Sequence, residues 1–280
     1  MTAVLAPTGA DVAAPPRPRR RGVRAAQAAT AAVVLGAALH LRLDWSALPG
    51  LPSAVAHYLW LMFADPDWSR LPYALAQTWV SVQMAWAGAL AGVVVATALG
   101  LAAARGVGPG WLRLPLRALF AVLRAVPEVV IAIVILTVTG LTPFTGALAL
   151  AIGGVGTHAK WTFETIEALP DGVAEAVRAA GGTRSAIVRW GLWPAAAPEL
   201  ASLALYRFEI NVRTSAILGV IGVGGVGDLL TGYTQYRQWD AVGVLVVVVV
   251  VVTMAIDAVS GAIRRRITKG ARARVVERTG

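Results

Sequence analysis

The chain has 280 residues, of which 57% are hydrophobic and only 14% are charged, and its mean hydropathy is +0.67. Soluble globular proteins carry about 25% charged residues, so this composition excludes a soluble fold and indicates several membrane crossings. The absence of cysteine excludes disulfides and thiolate metal sites. The net charge of +10 arises from basic clusters beside apolar segments, a pattern typical of a membrane protein rather than of a nucleic-acid-binding protein.

Long uncharged segments divide the chain into membrane-spanning helices. Residues 71–104 and 129–159 are runs of 34 and 31 residues without a charged side chain, longer than the ~20 residues that an apolar helix needs to cross a bilayer. Breaks rich in proline or glycine separate the apolar segments. The sequence therefore predicts an all-α, polytopic membrane protein with about six transmembrane helices, at residues 25–42, 73–104, 118–139, 145–167, 195–221 and 241–263.

The first predicted helix follows the basic segment RRRGVR, an order that also occurs in secretory signals. We expect the helix to be retained, because its apolar segment is long and further spans follow it. In the third predicted helix, Pro127 removes one backbone hydrogen bond and is expected to bend the helix. The valine-rich segment 242–256 has strand propensity, but its length and the three arginines that follow it favour a membrane helix.

The distribution of lysine and arginine predicts the orientation of the chain. With the N-terminus inside the cell, 19 of the 25 basic residues lie in cytoplasmic segments, as the positive-inside rule requires. Both termini are therefore predicted to be cytoplasmic. Residues 42–70 would then form an extracytoplasmic loop, and residues 168–194 would form a cytoplasmic loop.

No motif of the sequence predicts a catalytic, cofactor-binding or metal site. The chain lacks a P-loop, an HExxH motif and a nucleophile elbow. Gly222, Gly224 and Gly227 have the spacing of a dinucleotide-binding motif, but they follow a predicted membrane helix instead of a strand. We expect these glycines, together with Gly225, to form a flexible or closely packed turn at the outer end of the fifth span.

The fifth predicted span carries charged residues, each of which costs about 2.5–3.5 kcal/mol at a bilayer centre. They are Arg207, Glu209 and Arg213, and Glu128 is an acid in the third span. In one interpretation these residues form buried ion pairs that fix helix packing, with Glu209 and Arg213 partly neutralising each other and Glu128 or Lys160 as further partners. In the other, at least one arginine faces a translocation path and binds an oxyanion through its guanidinium group.

The cytoplasmic loop, residues 168–194, has the pattern of two short helices. Asp171 is expected to cap the first helix, which the glycine pair 181–182 ends, and a second short helix is predicted to begin at Thr183. Pro194 opens the next span. The pattern predicts a compact helix-turn-helix.

Within this loop, the segment EAVRAAG, with a proline thirteen residues after its glycine, resembles the EAA loop of permease subunits of ATP-binding-cassette importers. Four residues match that pattern: Glu175, Ala176, Gly181 and Pro194. Three positions depart from it: Val177, Gly191 and Trp193. The wider segments RAVPEVVIAIVILTVTGLTPFTGALAL and YRFEINVRTSAILGVIGVGGVG resemble the phosphonate-importer permeases in particular, and the resemblance spans residues 73–263.

The resemblance implies a type I importer fold like that of the methionine permease, in the bacterial inner membrane. The helix that contains Glu175 would seat in a cleft of a separate ATPase subunit, and closure of two ATPases around ATP would turn the spans from inward-open to outward-open. The chain would hold no cofactor, because ATP and magnesium would bind to the partner ATPase. The implied partners are two ATP-binding subunits, an extracytoplasmic substrate-binding protein and a second copy of the chain, in a lipid bilayer and without nucleic acid.

We therefore interpret the chain as a transport subunit, not an enzyme, that imports a phosphonate or a related phosphorus oxyanion. Permeases for methionine or glycine betaine share the fold class and are the nearest alternative, and an ATP-independent oligomeric channel is an alternative of another class. The predicted domains are a cytoplasmic N-terminal tail (1–24), a first helix with an extracytoplasmic loop (25–72), the transporter domain (73–263) with its coupling loop (168–194), and a basic cytoplasmic tail (264–280).

Overall fold

A computed structural model describes residues 20–41 and 45–279, with side chains for residues 22–41 and 46–267. The chain divides into two compact units between Val55 and Ala56. None of the described residues forms a β-strand, so the predicted all-α class is confirmed. The predicted N-terminal tail up to residue 19, and residues 42–44 of the predicted outer loop, lie outside the described part of the chain.

The described residues form helices that we number in chain order. They are α1 (Arg20–His40), α2 (Leu51–Phe63), α3 (Leu71–Ala103), α4 (Gly110–Ala125), α5 (Glu128–Thr139), α6 (Pro143–Glu167), α7 (Asp171–Ala179), α8 (Arg184–Ala186), α9 (Trp193–Leu218), α10 (Val226–Gln235) and α11 (Trp239–Thr279). Two π-helical turns, Ile187–Leu192 and Gly219–Val223, adjoin the two ends of α9. Two short 3-10 helices, Trp45–Gly50 and Trp68–Arg70, flank α2.

The segment predicted as an outer loop is largely helical where the structure describes it. It contains α2 and both 3-10 helices. The α2 sequence, LPSAVAHYLWLMF, is apolar, but its 13 residues rise only about 20 Å, which is too short for a bilayer span. The sequence analysis did not predict this helix, because its apolar run is shorter than the ~20 residues of a span.

The long helices α3 and α6 pack closely along their lengths, and glycines of α3 permit the contact. A Cβ atom added at Gly88, Gly92 or Gly100 would lie 2.8 Å from a backbone carbonyl oxygen of α6, at Ala147, Ala151 and Ala159 respectively. The spacing between partners is constant along both helices, so α3 and α6 run in the same direction. Small residues are the usual means of such close helix packing in membranes.

The third predicted span is two helices, and the prediction of one helix over residues 118–139 is wrong. The axes of α4 and α5 meet at 91°, with Val126 extended (φ −92°, ψ 121°). Pro127 lacks the N–H that would continue α4, and its ring pushes the preceding residue out of the helical region. The bend that we expected from this proline is therefore a complete break.

Two further differences lie near the C-terminal end. The connection between the last two predicted spans contains α10, which follows α9 and its π turn at an angle of 56°. The valine-rich segment is helical as predicted, but α11 continues from Trp239 to Thr279. The predicted C-terminal tail, residues 264–280, is thus helical through residue 279.

Three helical segments are long and apolar enough to cross a membrane: Gly22–His40, Trp68–Ala103 and Trp239–Ile267. The bent pairs α4 with α5, and the segment Arg184–Val223 with α10, raise the number to five if each pair is one span. The 25-residue α6 is not among them, since glycine and polar residues dilute its apolar character. The prediction of six spans stays a prediction.

Candidate coupling and translocation site

The helix α7 lies against the protein core by one face and exposes the other. Val173 and Val177 pack against a cluster of buried side chains that includes Phe163, Ile166 and Leu192. Glu175 and Ala176 point to the opposite, exposed side. The residues that match the EAA pattern in this helix are therefore available to a partner, while the helix itself is held in place.

A glycine turn connects α7 to the following segment. Gly181 has φ +78° and open space around the position of a Cβ atom. Gly182 donates a backbone hydrogen bond of 2.9 Å to the carbonyl oxygen of Val177, and a Cβ atom at Gly182 would lie 2.6 Å from the Val177 side chain. Gly182 thus permits close folding of the turn, and Gly181 provides the left-handed backbone conformation.

Two details of the predicted loop are corrected by the structure. Pro170 is the N-cap residue of α7, and Asp171 is the first helical residue with no capping hydrogen bond from its side chain. The second short helix does not stop before the next span, because α8 runs through the π turn Ile187–Leu192 into α9. Pro194 lies in the first turn of α9, so the second half of the coupling loop, from Arg184, and the charged helix are one continuous helical segment.

The deepest ion pair joins two helices that are distant in sequence. The Nη2 atom of Arg207 on α9 donates to Oε1 of Glu128, the first residue of α5, 79 residues away. Arg207 is only 5% exposed. Two consecutive glycines of α6 accommodate the pair: a Cβ atom at Gly153 would lie 2.5 Å from Cγ of Glu128, and one at Gly154 would lie 2.8 Å from Nε of Arg207.

Glu209 and Arg213 do not neutralise each other, so that part of the sequence interpretation is wrong. Glu209 is buried and accepts a hydrogen bond from Arg264 of α11. Arg213 instead donates to both carboxylate oxygens of Asp257, at 3.2 and 3.3 Å. A charged partner on another helix is closer to each of these side chains than the neighbour one turn away on α9.

The three charged residues of α9 differ strongly in exposure. The side chains of Arg207 and Glu209 are 6% and 7% exposed, whereas that of Arg213 is 55% exposed. Arg213 also lines a cavity of about 210 Å³, together with the hydroxyl-bearing side chains of Thr78, Ser81 and Thr253. The buried pairs fit the packing interpretation, and Arg213 has the exposure that a contact with a solute requires.

The glycine-rich segment after α9 forms a turn in close backbone contact with its surroundings. Gly222, Gly224 and Gly225 have φ of +93°, +94° and +80°. A Cβ atom at Gly227 would lie 1.9 Å from the carbonyl oxygen of Ala216. Ser81 of α3 accepts a hydrogen bond of 2.9 Å from the N–H of Val226, which ties the turn to the neighbouring helix.

A polar cluster next to the coupling loop joins residues that the sequence did not indicate as partners. Glu167, the last residue of α6, pairs with Arg117 of α4 and accepts a hydrogen bond of 2.7 Å from the backbone N–H of Arg105. Arg117 also donates to the carbonyl oxygen of Ala103 at 3.0 Å and lies 4.1 Å from the centroid of the Phe163 ring. The cluster therefore connects the C-terminal ends of α3 and α6 to the middle of α4, just before α7 begins.

The described residues contain no group of three or more His, Asp or Glu side chains arranged to hold a metal ion. The fully buried His158 of α6 packs edge-on against Trp161, with 6.0 Å between the ring centroids. Trp161 in turn contacts Tyr206 of α9 at 5.9 Å. These contacts give His158 a packing position in the bundle.

The chain is similar to known transport proteins. Residues 96–272 match the family described as "Binding-protein-dependent transport system inner membrane component". The chain is 43% identical over 136 residues to the phosphate-import permease protein PhnE of Mycolicibacterium smegmatis, covering 45% of this chain and 26% of that protein. It is 35% identical over 156 residues to the putative phosphite transport system permease protein HtxC of Stutzerimonas stutzeri, covering 55% of each chain.

The chain thus spans between a quarter and just over half of the length of these two curated relatives. Its fold is similar to that of a chain in inward-facing structures of the MetNI methionine ABC transporter. The TM-score is 0.62 at 23% identity, and the match covers 70% of this chain and 96% of that one. At this identity the likeness shows the fold alone, so the predicted methionine-permease-like fold is confirmed. The family match covers well over half of the chain, which is therefore a multi-pass membrane protein of the binding-protein-dependent transport system inner membrane component family.

Proposed function

We propose that the chain is the permease subunit of an ATP-binding-cassette importer that takes up a phosphonate or a related phosphorus oxyanion. The family match supports the permease role. The names of the relatives, a phosphate-import permease and a putative phosphite transport permease, support a phosphorus oxyanion as the solute. A permease for methionine or glycine betaine is the nearest alternative, since the same fold occurs in the methionine transporter.

The observation that carries this proposal is the continuous helical path from Arg184, in the second half of the coupling loop, to the charged residues of the membrane domain. In our proposal a separate ATPase contacts the exposed Glu175 and Ala176 of α7. Movement of α7 passes through the glycine turn and the π turn into α9. Because π turns absorb a change of helical register and occur often at functional sites, this junction suits a segment that must move.

The cluster around Glu167 supports the same role. Its ion pair with Arg117 joins the end of α6 to α4, and α4 leads through the break at Pro127 to Glu128 and its partner Arg207. A displacement at the coupling loop would therefore reach the Glu128–Arg207 pair from two directions, along α9 and along α4.

Arg213 is our candidate for contact with the solute. Its guanidinium group is the most exposed of the three charged side chains of α9, and the hydroxyl groups of Thr78 and Ser81 line the same cavity. A guanidinium group suits the acceptor oxygens of a phosphonate or phosphate, and the hydroxyl of Ser81, which accepts from the N–H of Val226, can still donate its own proton. Glu128, Arg207 and Glu209 take the structural role of buried ion pairs.

The proposed complex contains two copies of this chain, two ATP-binding subunits and an extracytoplasmic substrate-binding protein. Both termini face the cytoplasm, where 19 of the 25 basic residues would then lie. ATP and magnesium bind to the partner ATPase, and the chain itself is a transport subunit. An ATP-independent channel is the alternative from another class, and it gives no reason for an anchored helix that exposes Glu175.

A reconstitution experiment tests this proposal. The tagged chain is purified from its native membranes with the subunits that remain bound, and it is placed in vesicles with or without ATP on the side of the ATPase. We expect uptake of labelled methylphosphonate, phosphite or phosphate that requires ATP and the binding protein. Uptake of methionine or glycine betaine in place of these anions would contradict the proposed phosphorus oxyanion as solute. Full uptake by the chain alone would contradict the proposed coupling to an ATPase.

A further inference from the structure

A narrow groove on the surface of the second unit lies between α3, α9 and α11. Its volume is about 290 Å³, and nearly all of its lining is apolar. The lining includes the side chains of Trp86, Ala89, Ala201, Ala204, Phe208 and Ile263. The rings of Trp86 and Phe208 meet edge to face at 5.5 Å. In a membrane protein, such a groove has the chemistry to hold a hydrocarbon chain.

One end of the groove lies beside the basic segment of α11. Ile263 and Ile267 both line the groove. At 100° per residue, Arg264 and Arg266 flank this helix face at roughly 80° on either side, while Arg265 lies on the opposite side of the helix. Arg264 is engaged with Glu209, and Arg266 is exposed. This projection places the exposed Arg266 beside the groove, just outside its apolar lining.

We propose that this groove binds one acyl chain of an anionic phospholipid, whose phosphate group is held by Arg266. Clusters of basic residues directly after a membrane span are typical of anionic headgroup binding. The apolar lining explains why a lipid fits better than a soluble anion, which would need only the arginine. The positive charge at the rim favours an anionic lipid over a zwitterionic one.

The charge beside the groove favours a lipid chain over a helix of a second copy of the protein. An apolar helix face would fill the apolar lining but would offer no anionic partner to Arg266, whereas the phosphate group of a lipid does. An acyl chain in the groove would cover Leu205 and Phe208 of α9. The lipid would thus brace α9 against α3 and α11.

Lipid retention by the purified protein tests this inference. The protein is exchanged into detergent containing phosphatidylglycerol or phosphatidylcholine, and bound lipid is counted by native mass spectrometry alongside the thermal unfolding midpoint. We expect one retained phosphatidylglycerol and a higher midpoint than with phosphatidylcholine. Arg266→Gln is expected to reduce retention, whereas Arg265→Gln, on the opposite side of the same helix, keeps it.

A second pair of variants tests the groove itself. Ala204→Phe is expected to fill the groove and to abolish retention, and Ala201→Phe at the exposed rim serves the same purpose if Ala204→Phe does not fold. Val138→Phe, at an apolar position of α5 that is 87% exposed, is the control and keeps retention. The proposal would be overturned if Arg265→Gln and Arg266→Gln lost bound lipid equally, or if both lipids were retained equally. It would also be overturned if inorganic phosphate displaced the lipid, or if Ala204→Phe changed the oligomeric state.

Discussion

The two ends of α9 are both bordered by a π turn and both place apolar side chains in core clusters, but the C-terminal end is also held by a closer glycine backbone contact. At the N-terminal end, Ile187 and Leu192 insert apolar side chains into a core cluster, and Trp190 beside them is 70% exposed. At the C-terminal end, Gly219 and Gly227 bring two stretches of backbone together: a Cβ atom at Gly219 would lie 2.7 Å from Cα of Gly227.

This difference assigns a different mechanical property to each end. Interdigitated apolar side chains can change from one packed arrangement to another, whereas a glycine backbone contact has no side chain that could adjust. We therefore expect the end next to the coupling loop to shift and the end at the glycine turn to stay in place. A helix with one mobile and one fixed end pivots, which suits the coupling role that we propose for α7 and α9.

The largest expected effect is at the fixed end. In Gly227→Ala, the new Cβ would lie 1.9 Å from the carbonyl oxygen of Ala216, so α10 must leave its position and the protein is expected to lose its fold or most of its thermal stability. The matched control is Gly232→Ala in the same helix, where nothing lies within 4 Å of the added Cβ. Thermal unfolding of the two variants in detergent is followed by tryptophan fluorescence. Equal unfolding midpoints would contradict the claim that the glycine contact holds this end of α9 in place.

The next largest effect is at the centre of α9. Glu128→Ala leaves Arg207 as a buried charge without its partner and is expected to lower the free energy of unfolding by about 3–5 kcal/mol. Adding Arg207→Leu to this variant is expected to restore much of the loss. Glu164→Ala, which breaks an exposed pair with Lys160 of 3.4 Å, is the control and is expected to change stability by less than about 1 kcal/mol.

A smaller loss of stability is expected at the mobile end, where the main effect concerns coupling. Gly181→Trp and Gly106→Trp each place a side chain at φ +78° in open space, so both are expected to destabilise the protein by about 1–2 kcal/mol. Only Gly181→Trp should prevent co-purification of the ATPase and ATP-driven uptake, because only this residue lies in the coupling loop. If Gly106→Trp is equally defective in uptake, strain rather than docking explains the result.

The smallest change in stability is expected at the exposed pair of Arg213 and Asp257. Arg213→Ala and Asp257→Ala each remove one partner of a surface pair, which is expected to contribute at most about 1 kcal/mol. If Arg213 contacts the solute, uptake falls strongly in Arg213→Ala and is largely kept in Asp257→Ala. Equal uptake in the two variants would reduce Arg213 to a packing role.

The sequence predicted the long helices well, because uncharged runs and their breaks are local signals. It did not predict the right-angled break at Pro127, since a proline in a membrane helix produces either a bend or a break depending on the helices around it. The helices α2 and α10 were passed over because each is too short to resemble a span, and α10 begins within a glycine-rich segment that reads as a turn.

The ion-pair partners could be predicted only in part. Glu128 was a candidate because it is an acid in an apolar segment, but its pairing with Arg207 joins positions 79 residues apart, and no local pattern contains that information. The glycines at positions 153 and 154, which make room for the pair, look like ordinary helix-packing glycines in the sequence. Only the packed structure shows that the space beside them belongs to charged side chains.

The charges of α9 also determine how this helix responds to an electric field. Between Trp193 and Leu218 the helix carries two acids, Glu199 and Glu209, and two arginines, Arg207 and Arg213, so its formal net charge is zero. One uncompensated charge moved across the membrane would exchange about 2.3 kcal/mol with a potential of 100 mV. A displacement of the whole of α9 would therefore exchange no net energy with the membrane voltage, and a pivot would leave only the difference between the displacements of its acids and of its arginines.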